Sequence, residues 1–200
     1  MATQFQYLTF ELKRGREAWA SFSADVREKT VAALAREGGE MCGLFAPQLG
    51  FASNEAVALV RGSRDAQSAF GSDAIVHVQK DRLSPTVRPL DGQRLKEGGI
   101  YVHRWFAIDG DRLGDFIDLS NRAWSGFEGS YDTEIFGLFA ADESERDVRM
   151  GARRLLLLTW YRDHGVWEAS REQARDAASL FAQRHLLTRT TIGRSSVRVL

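Results

Sequence analysis

The chain has little cysteine and no excess of charge of either sign. Each of these shortages excludes certain kinds of site or binding partner. A single cysteine, Cys42, cannot form an internal disulfide and has no second thiol with which to build a zinc site. Basic and acidic residues both number 27, so the formal net charge is zero. Because no long run of like charges is present, we expect neither nucleic acid nor an anionic membrane surface as a partner.

Long apolar segments and nucleotide-binding motifs are also missing. No window approaches the roughly 18 uninterrupted apolar residues of a membrane-spanning helix, and the N-terminus lacks the pattern of a secretory signal. We therefore expect a cytoplasmic protein without a membrane span. Neither GxGxxG nor GxxxxGK[ST] occurs, so nucleotide binding has no support. With 44% hydrophobic and 27% charged residues, the composition is that of a folded globular protein.

What the sequence does contain is an internal repeat. EMCGLFA at residues 40 to 46 returns as EIFGLFA at residues 134 to 140, and the two differing positions exchange apolar residues. Each copy is preceded by a strand-like run and then an amphipathic helical pattern, and is followed by an apolar strand-like run. The outer runs lie at residues 5 to 12, 56 to 65, 100 to 108 and 155 to 163. The two halves are therefore predicted to share one fold.

Each half continues with a second helix and a last strand, although the second helix differs between them. In the second half Ser170 and Gln173 form a capping-box pattern that predicts a helix, whereas the first half offers only the short stretch at 66 to 74. The order strand, helix, strand, strand, helix, strand is that of a ferredoxin-like βαββαβ unit. We place the first repeat at residues 1–98, including a joint rich in proline and glycine at 84–98, and the second at residues 99–200.

Two of the predicted strands are apolar without alternation, AVALV at 56 to 60 and LLLL at 155 to 158. Such strands are usually covered on both faces, while the helices of a ferredoxin-like unit cover only one. The fold class is therefore predicted as α+β, with two tandem repeats forming an eight-stranded antiparallel barrel and the helices outside. The barrel can close within one chain or between two chains. A homo-oligomer, with a dimer favoured, is expected in either case.

These segments resemble the NIPSNAP family of the dimeric α+β barrel superfamily. The resemblance rests on the opening strand Ile100 to Phe106, the glycine-centred strand Glu134 to Phe139 and the end of the apolar strand at Thr159, Trp160 and Tyr161. It implies the α+β barrel architecture and a family whose biochemical activity is mostly undefined. Within the wider superfamily it also implies kinship with cofactor-independent monooxygenases, haem-binding proteins and small-molecule isomerases. The family's usual glutamate in the opening strand is replaced here by Val102.

Alternation along the two opening strands predicts where a ligand would bind. Leu8, Phe10 and Leu12, with Phe106 and Ile108, form the apolar set expected to pack on helices. The opposite side chains, a mixture of aromatic surface and polar tips, are expected to line a small-molecule pocket in the barrel. The predicted ligand-binding residues are Tyr7, Glu11, Tyr101 and Trp105, together with Arg61 at the pocket mouth.

His103 lies in the same predicted set and leads to three functional hypotheses. The first is a protein that binds a small hydrophobic or aromatic molecule in the barrel. The second is a cofactor-independent monooxygenase or isomerase with His103 as general base, and the third is a non-enzymatic interaction protein. The alternative for His103 is a structural histidine bonded across the barrel to Tyr7 or Glu11. No metal site is predicted, because the four histidines share no ligand spacing, and haem remains only as an option that needs one axial ligand.

Overall fold

A computed structural model of the chain describes residues 4–62, 65–172 and 175–200. These residues form eight strands and six α-helices. The strands are β1 (Phe5–Leu12), β2 (Glu40–Leu49), β3 (Glu55–Arg61), β4 (Ile75–Pro85), β5 (Ile100–Asp109), β6 (Thr133–Ala141), β7 (Ala152–Tyr161) and β8 (Thr188–Arg198). The helices are α1 (Arg16–Asp25), α2 (Val31–Arg36), α3 (Leu113–Ser130), α4 (Glu145–Met150), α5 (His164–Ala169) and α6 (Arg175–Leu186).

The chain divides into two compact units. Unit 1 comprises Met1–Ser84 with Ser196–Leu200, and unit 2 comprises Pro85–Ser195. The joint predicted at 84–98 therefore belongs almost entirely to unit 2. Backbone hydrogen bonds explain this assignment, since Thr86 donates to the carbonyl of Leu138 at 3.0 Å and Leu138 donates to the carbonyl of Arg88 at 3.3 Å.

Unit 1 contains β1 to β4 in the order β4-β1-β3-β2, with all paired strands antiparallel. One face of this sheet is packed by the helices. Leu8, Phe10 and Leu12 of β1 form a buried cluster with Phe22 of α1 and Leu34 of α2. The predicted helix-facing side of β1 is thereby confirmed. The second helix of this repeat is reduced to a single short 3₁₀ turn at Ala66–Ala69, as its sequence indicated.

Unit 2 repeats this order as β8-β5-β7-β6. The long helix α3 buries one side, and the ring of its Phe116 lies 4.9 Å from that of Phe106 on β5. Helix α6 packs beside α3, where Phe127 and Phe181 meet edge to face with ring centroids 5.5 Å apart. The helix face of β5 is therefore the side that carries Phe106, as predicted.

The eight strands follow one another in the closed hydrogen-bonded order β1-β3-β2-β8-β5-β7-β6-β4. The predicted fold class, two ferredoxin-like βαββαβ repeats in an eight-stranded antiparallel α+β barrel, is confirmed. Residues 56 to 60 of β3 and 155 to 158 of β7 are buried on both faces, as their unbroken apolar sequences indicated.

Two short helices were not predicted. Helix α4 begins after a capping box in which Ser144 and Asp147 bond each other's backbone N–H groups. Helix α5 begins after Asp163, whose carboxylate accepts from the backbone N–H of Val166 at 2.8 Å. Ser170 lies in a 3₁₀ turn, and its predicted capping partner Gln173 is outside the described residues.

The repeated GLFA segments occupy equivalent positions, and both carry a β-bulge just before the glycine. In β2 the register against β3 shifts between Met41 and Gly43, and in β6 the register against β7 shifts between Ile135 and Gly137. The bulged residues are thus Cys42 and Phe136, the second of the two positions at which the repeats differ. Burial raises the pKa of the Cys42 thiol to about 11, so it stays protonated at neutral pH.

Replacing Gly137 by alanine is expected to destabilise the protein by about 2 kcal/mol, because the new methyl group has no room. A Cβ atom there would lie 2.8 Å from Cδ of Pro89 and 2.9 Å from the ring of Phe139. Urea unfolding measures the change. Gly114→Ala in α3 is the matched control, since a Cβ at Gly114 meets nothing within 4 Å. Equal stability of the two variants would show that β6 shifts to accommodate the methyl group.

Candidate functional site

Unit 2 contains a cavity of about 720 Å³ between the helix face of its sheet and the helices α3 and α6. This volume lies within the range of roughly 300–1,000 Å³ typical of small-molecule sites. All four strands of the unit contribute lining residues, as do α3, α5 and α6. Aromatic side chains supply much of the wall, namely those of Phe106, Trp124, Phe127, Tyr161, Trp167 and Phe181.

The floor of the cavity is set by alternation along β5. Val102, Arg104 and Phe106 line it, so Arg104 lies on the side that packs on helices rather than on the opposite side with His103. A cationic side chain at such a position is unusual, because helix-facing strand positions are normally apolar. Arg104 has no ion-pair partner among the described side chains.

A second arginine, Arg184 of α6, reaches the same cavity and is only 7% exposed. Its guanidinium lies over three phenyl rings, with distances from Cζ to the ring centroids of 5.2 Å for Phe106, 5.5 Å for Phe116 and 4.7 Å for Phe181. Burial, and next the positive charge of Arg104, lower the pKa of Arg184 to about 9. At pH 7 it is therefore still a cation, held in surroundings that disfavour its charge.

Tyr161, at the end of β7, forms the polar corner of the cavity. Its hydroxyl group lies near Ser170, whose own hydroxyl donates to the carbonyl of Trp167 at 2.7 Å. Burial raises the pKa of the Tyr161 phenol, so the neutral form is held at physiological pH. Tyr161 therefore contributes aromatic surface and a neutral hydroxyl rather than a charge.

Two indole N–H groups complete the lining. The Nε1 atoms of Trp124 and Trp167 are both buried without a hydrogen-bond partner in the described structure. Buried tryptophan N–H groups usually find an acceptor, and one left without a partner costs about 1–3 kcal/mol. The cavity therefore presents donors and cations to whatever occupies it.

Metal ligation is not supported by the described part of the chain. Among the side chains that the structure describes, no group of three or more His, Cys, Asp or Glu could hold a metal ion. The one histidine among the lining residues described is His185, and it is exposed.

The predicted general base, His103, is fully buried and does not line this cavity. Burial, and to a smaller extent the charge of Arg194, lower the pKa of its imidazole to about 3. The ring is therefore neutral at pH 7, as a general base must be, but a group with so low a pKa takes up a proton reluctantly. Its assignment as a general base stays a prediction.

None of the five predicted ligand-binding residues lines the cavity either. Tyr7 and Tyr101 are buried, and the hydroxyl of Tyr101 donates to the carbonyl of Lys96 at 2.8 Å. Trp105 is half-buried under the guanidinium of Arg154, whereas Arg61 pairs with Glu40 at 3.6 Å. These four stay predictions as ligand contacts.

Glu11 departs from the expected burial. It was predicted inside a pocket, but its side chain is exposed. The reason is its place near the end of β1, opposite Glu55 on β3 and next to a break in the pairing with β4. A carboxylate there is exposed to solvent. Its role in binding a ligand stays a prediction.

The residues that sequence analysis missed are Arg104, Tyr161 and Arg184. For Arg104 a signal existed, because it shares the parity of Phe106, which was assigned to the helix side. No such signal exists for Arg184, since an arginine in the last turn of a surface helix is ordinarily solvated.

Comparison with solved structures shows the fold. The chain superposes on a proposed monooxygenase from Fusobacterium nucleatum with a TM-score of 0.64 at 11% identity, covering 100% of this chain and 93% of that one. An anthrone oxidase-like protein gives 0.63 at 10% identity, with 100% and 92% covered. A heme-binding protein from Thermus thermophilus gives 0.51 at 12% identity, with 100% and 92% covered. At these identities the likeness concerns architecture alone.

The sequence itself has no such matches. No protein-family model matches it, and no curated protein is similar to it. The eight-stranded antiparallel α+β architecture is therefore shown by structure, while membership of the NIPSNAP family and of its superfamily stays a prediction. No helix in the described part of the chain is long and apolar enough to cross a membrane.

Proposed function

We propose that this protein binds a small hydrophobic or aromatic molecule in the cavity of unit 2. The observation that carries the proposal is the cavity itself, about 720 Å³ in volume and walled by aromatic side chains on the helix face of the sheet. A space of this size, lined largely by aromatic side chains with a few polar groups, has room for a small-molecule ligand. The site lies on the opposite side of β5 from the residues that alternation had favoured.

Unit 1 offers an internal comparison, because apolar side chains pack there between the sheet and the helices. Phe70, just after the short 3₁₀ turn, places its ring 4.8 Å from Phe10 and 6.4 Å from Phe22. These three rings belong to one buried cluster between the sheet and α1. The second repeat has a full helix in place of the turn, and it keeps a cavity. Unit 2 thus has a cavity between its sheet and its helices at the place where unit 1 has packed apolar side chains.

Blocking the cavity is expected to abolish binding of an apolar probe. Gly193 of β8 lines the cavity, and a Cβ atom at this position meets nothing within 4 Å, so Gly193→Leu should fold normally while filling the space. Fluorescence titration with N-phenyl-1-naphthylamine, a neutral aromatic dye, is expected to show at least a tenfold loss of affinity. The neighbouring variant Ile192→Leu is the control, because Ile192 is not among the lining residues. Equal affinity of both variants would place the dye elsewhere and contradict the proposal.

The second candidate is a cofactor-independent monooxygenase or isomerase with His103 as general base. It is favoured by the fold shared with the proposed monooxygenase and the anthrone oxidase-like protein. It predicts oxygen consumption with an anthrone, lost in His103→Gln while the melting temperature changes by only a few degrees. Unchanged turnover in that variant would eliminate His103 as the base.

Haem is a further possibility within this fold, because one structural neighbour is a heme-binding protein. The cavity residues do not fit it. Tyr161 and His185 are the axial-ligand types among the lining residues described, but burial raises the pKa of Tyr161 and opposes the phenolate that iron requires. His185 is exposed and belongs to the edge of the cavity. We therefore propose no cofactor.

Three further expectations stay proposals alongside the binding function. These are NIPSNAP kinship, a homodimer and a cytoplasmic location. The non-enzymatic interaction protein also remains open, since Leu186 is 84% exposed and Val148 is 63% exposed. Native mass spectrometry of the purified protein reports the subunit number and any retained small molecule in one experiment, and a monomeric mass would overturn the homodimer.

A further inference from the structure

The ionisable side chains that give the unit 2 cavity its charge are all basic. Three arginines, Arg104, Arg171 and Arg184, line it together with His185. No aspartate or glutamate occurs among the lining residues whose side chains the structure describes. A cavity that merely trapped water would need no such bias, because water donates and accepts hydrogen bonds equally. The lining therefore selects for an occupant that accepts hydrogen bonds and carries negative charge.

Arg184 gives the strongest evidence for a missing negative charge. Its hydrogen bond within the described structure runs from Nη1 to the Ser120 hydroxyl at a long 3.4 Å, and no described carboxylate pairs with it. Buried charges in proteins are normally paired, because an isolated ion loses its hydration without compensation. The charge with the largest influence on its pKa is that of another cation, Arg104. Two guanidinium groups in one cavity leave a positive charge that the described side chains do not neutralise.

The indole groups of Trp124 and Trp167 point to the same conclusion independently. Their Nε1 atoms are buried donors without an acceptor, and both residues line the cavity. An oxygen-bearing ligand would supply that acceptor. In contrast, Trp160 outside the lining set donates to the carbonyl of Gly98 at 2.9 Å. The two unsatisfied indoles therefore belong to the cavity and are not a general feature of tryptophan in this fold.

The other repeat shows that the arginine on β5 is not required by the fold. Strand pairing matches the repeats position by position, since Gly43 faces Leu59 and Gly137 faces Leu158 at the two bulges. Leu8 faces Ala58 on β3, and Arg104 faces Leu157 on β7, so Arg104 occupies the place of Leu8. Leu8 is fully buried in the core of unit 1. Leucine satisfies this position structurally, and its counterpart in unit 2 is a cation that faces a cavity.

The register also matches Thr159 of β7 with Val60 of β3. Val60 belongs to the buried apolar cluster of unit 1, whereas Thr159 lines the cavity. Valine and threonine have nearly the same shape, so the exchange adds a hydroxyl without changing volume. Two neighbouring positions of the second repeat have thus replaced apolar side chains by polar ones on the same face.

From these observations we infer that the ligand is an organic anion with an aromatic-sized apolar body, whose acidic group pairs with Arg104 and Arg184. This inference rests on the binding function proposed above and names the ligand class for the same cavity. A carboxylate fits the guanidinium fork in a bidentate manner and offers further lone pairs to the indole donors. The phenyl and indole rings then cover the apolar body, which excludes water from the ion pair and strengthens it.

Two dyes of nearly the same shape separate charge from apolar contact. One is 8-anilinonaphthalene-1-sulfonate, in which the sulfonate stands in for the carboxylate, and the other is neutral N-phenyl-1-naphthylamine. Fluorescence titration of the wild-type chain is expected to give at least tenfold tighter binding of the sulfonate, at one site per chain. In Arg104→Leu, which carries the residue of the first repeat, and in Arg184→Met, this preference is expected to disappear while affinity for the neutral dye is retained. Arg122→Leu, which removes an exposed arginine paired with Asp118, is the charge-matched control and should behave as wild type.

Each outcome separates the ligand class from the proposed function. Equal binding of the two dyes, or a preference that survives in both arginine variants, would overturn the anion inference and leave the binding function standing. Binding of neither dye would contradict the binding function itself. Displacement of the sulfonate dye by inorganic phosphate at millimolar concentration would show a simple anion site with no need for an apolar body, which also overturns the inference. Failure of phosphate to compete is the expected result.

Discussion

Replacing Arg184 by methionine is expected to stabilise the ligand-free protein by about 2 kcal/mol. Arg184 is 7% exposed, and burial together with the charge of Arg104 lowers its pKa to about 9, so the folded state disfavours the charged form. Methionine keeps the length and the contacts with the phenyl rings but carries no charge to desolvate. The variant loses cation–π contacts worth about 0.5–2 kcal/mol and a single long hydrogen bond, which offset only part of the gain.

Urea unfolding of refolded protein measures this difference, because refolding from denaturant removes any retained ligand. Arg122→Met is the control, and as an exposed arginine it is expected to change stability by less than about 0.5 kcal/mol. A loss of stability in Arg184→Met would show that the arginine serves the packing of α6 against α3. A gain in stability coupled to a loss of anion binding is the signature of a residue kept for its ligand.

Acidification is expected to destabilise the protein through His103, by about 1.4 kcal/mol for each pH unit below the pKa of the unfolded chain. The pKa of the imidazole is lowered from 6.5 to about 3, chiefly by burial. Since the unfolded chain binds a proton below pH 6.5 and the folded chain does not, stability is fully present above 6.5. It falls as the pH drops toward 3, and the expected loss from this group between pH 7 and pH 4 is about 3 kcal/mol.

The change of the free energy of unfolding with pH is measured by urea unfolding at pH 7, 6, 5 and 4 in the wild-type chain and in His103→Gln. Glutamine keeps hydrogen-bonding capacity but does not titrate, so its profile should be flatter by the amount that His103 contributes. His77→Gln replaces an exposed histidine and is the matched control. Parallel profiles for all three proteins would mean that His103 titrates normally, which the buried position in β5 does not allow.

The architecture could be predicted because it depends on patterns that repeat. The second GLFA segment forms β6 as the first forms β2, and even the bulge before the glycine is common to both. The shortening of the second helix in the first repeat could also be predicted, because nine residues between the apolar run and the last strand leave room for little more than a turn. Helices α4 and α5 were missed because each is six residues long and carries no apolar period of its own.

The site could be predicted only in part, because alternation identifies the two faces of a strand but does not show which face borders a cavity. In β5 the mixed set of Tyr101, His103 and Trp105 suggested a pocket, and the helix side was taken as packed on the evidence of Phe106. The cavity instead lies on the helix side. Whether a helix closes fully onto a sheet depends on side chains from α3 and α6 together, and no single segment contains that information.

Arg104 is the one residue whose sequence context did indicate on which face of β5 the cavity lies. Its counterpart Leu8 belongs to a tightly packed core, and the exchange of leucine for arginine at equivalent positions of a repeat signals a change of role. Comparing repeats position by position, instead of only by their strongest motif, would have located this side of the cavity. Arg184 required the structure, because its burial results from the packing of α6 beside α3.

The most direct test of a ligand site in unit 2 is the NMR spectrum of the indole N–H groups. The chain has five tryptophans, so five signals are expected, each assignable by a Trp→Phe variant. Addition of 8-anilinonaphthalene-1-sulfonate is expected to shift the signals of Trp124 and Trp167, whose indole donors line the cavity without partners. The signals of Trp19 in α1 and of Trp160, which already donates to Gly98, should stay in place. Unchanged Trp124 and Trp167 signals at saturating dye would contradict a binding site in this cavity.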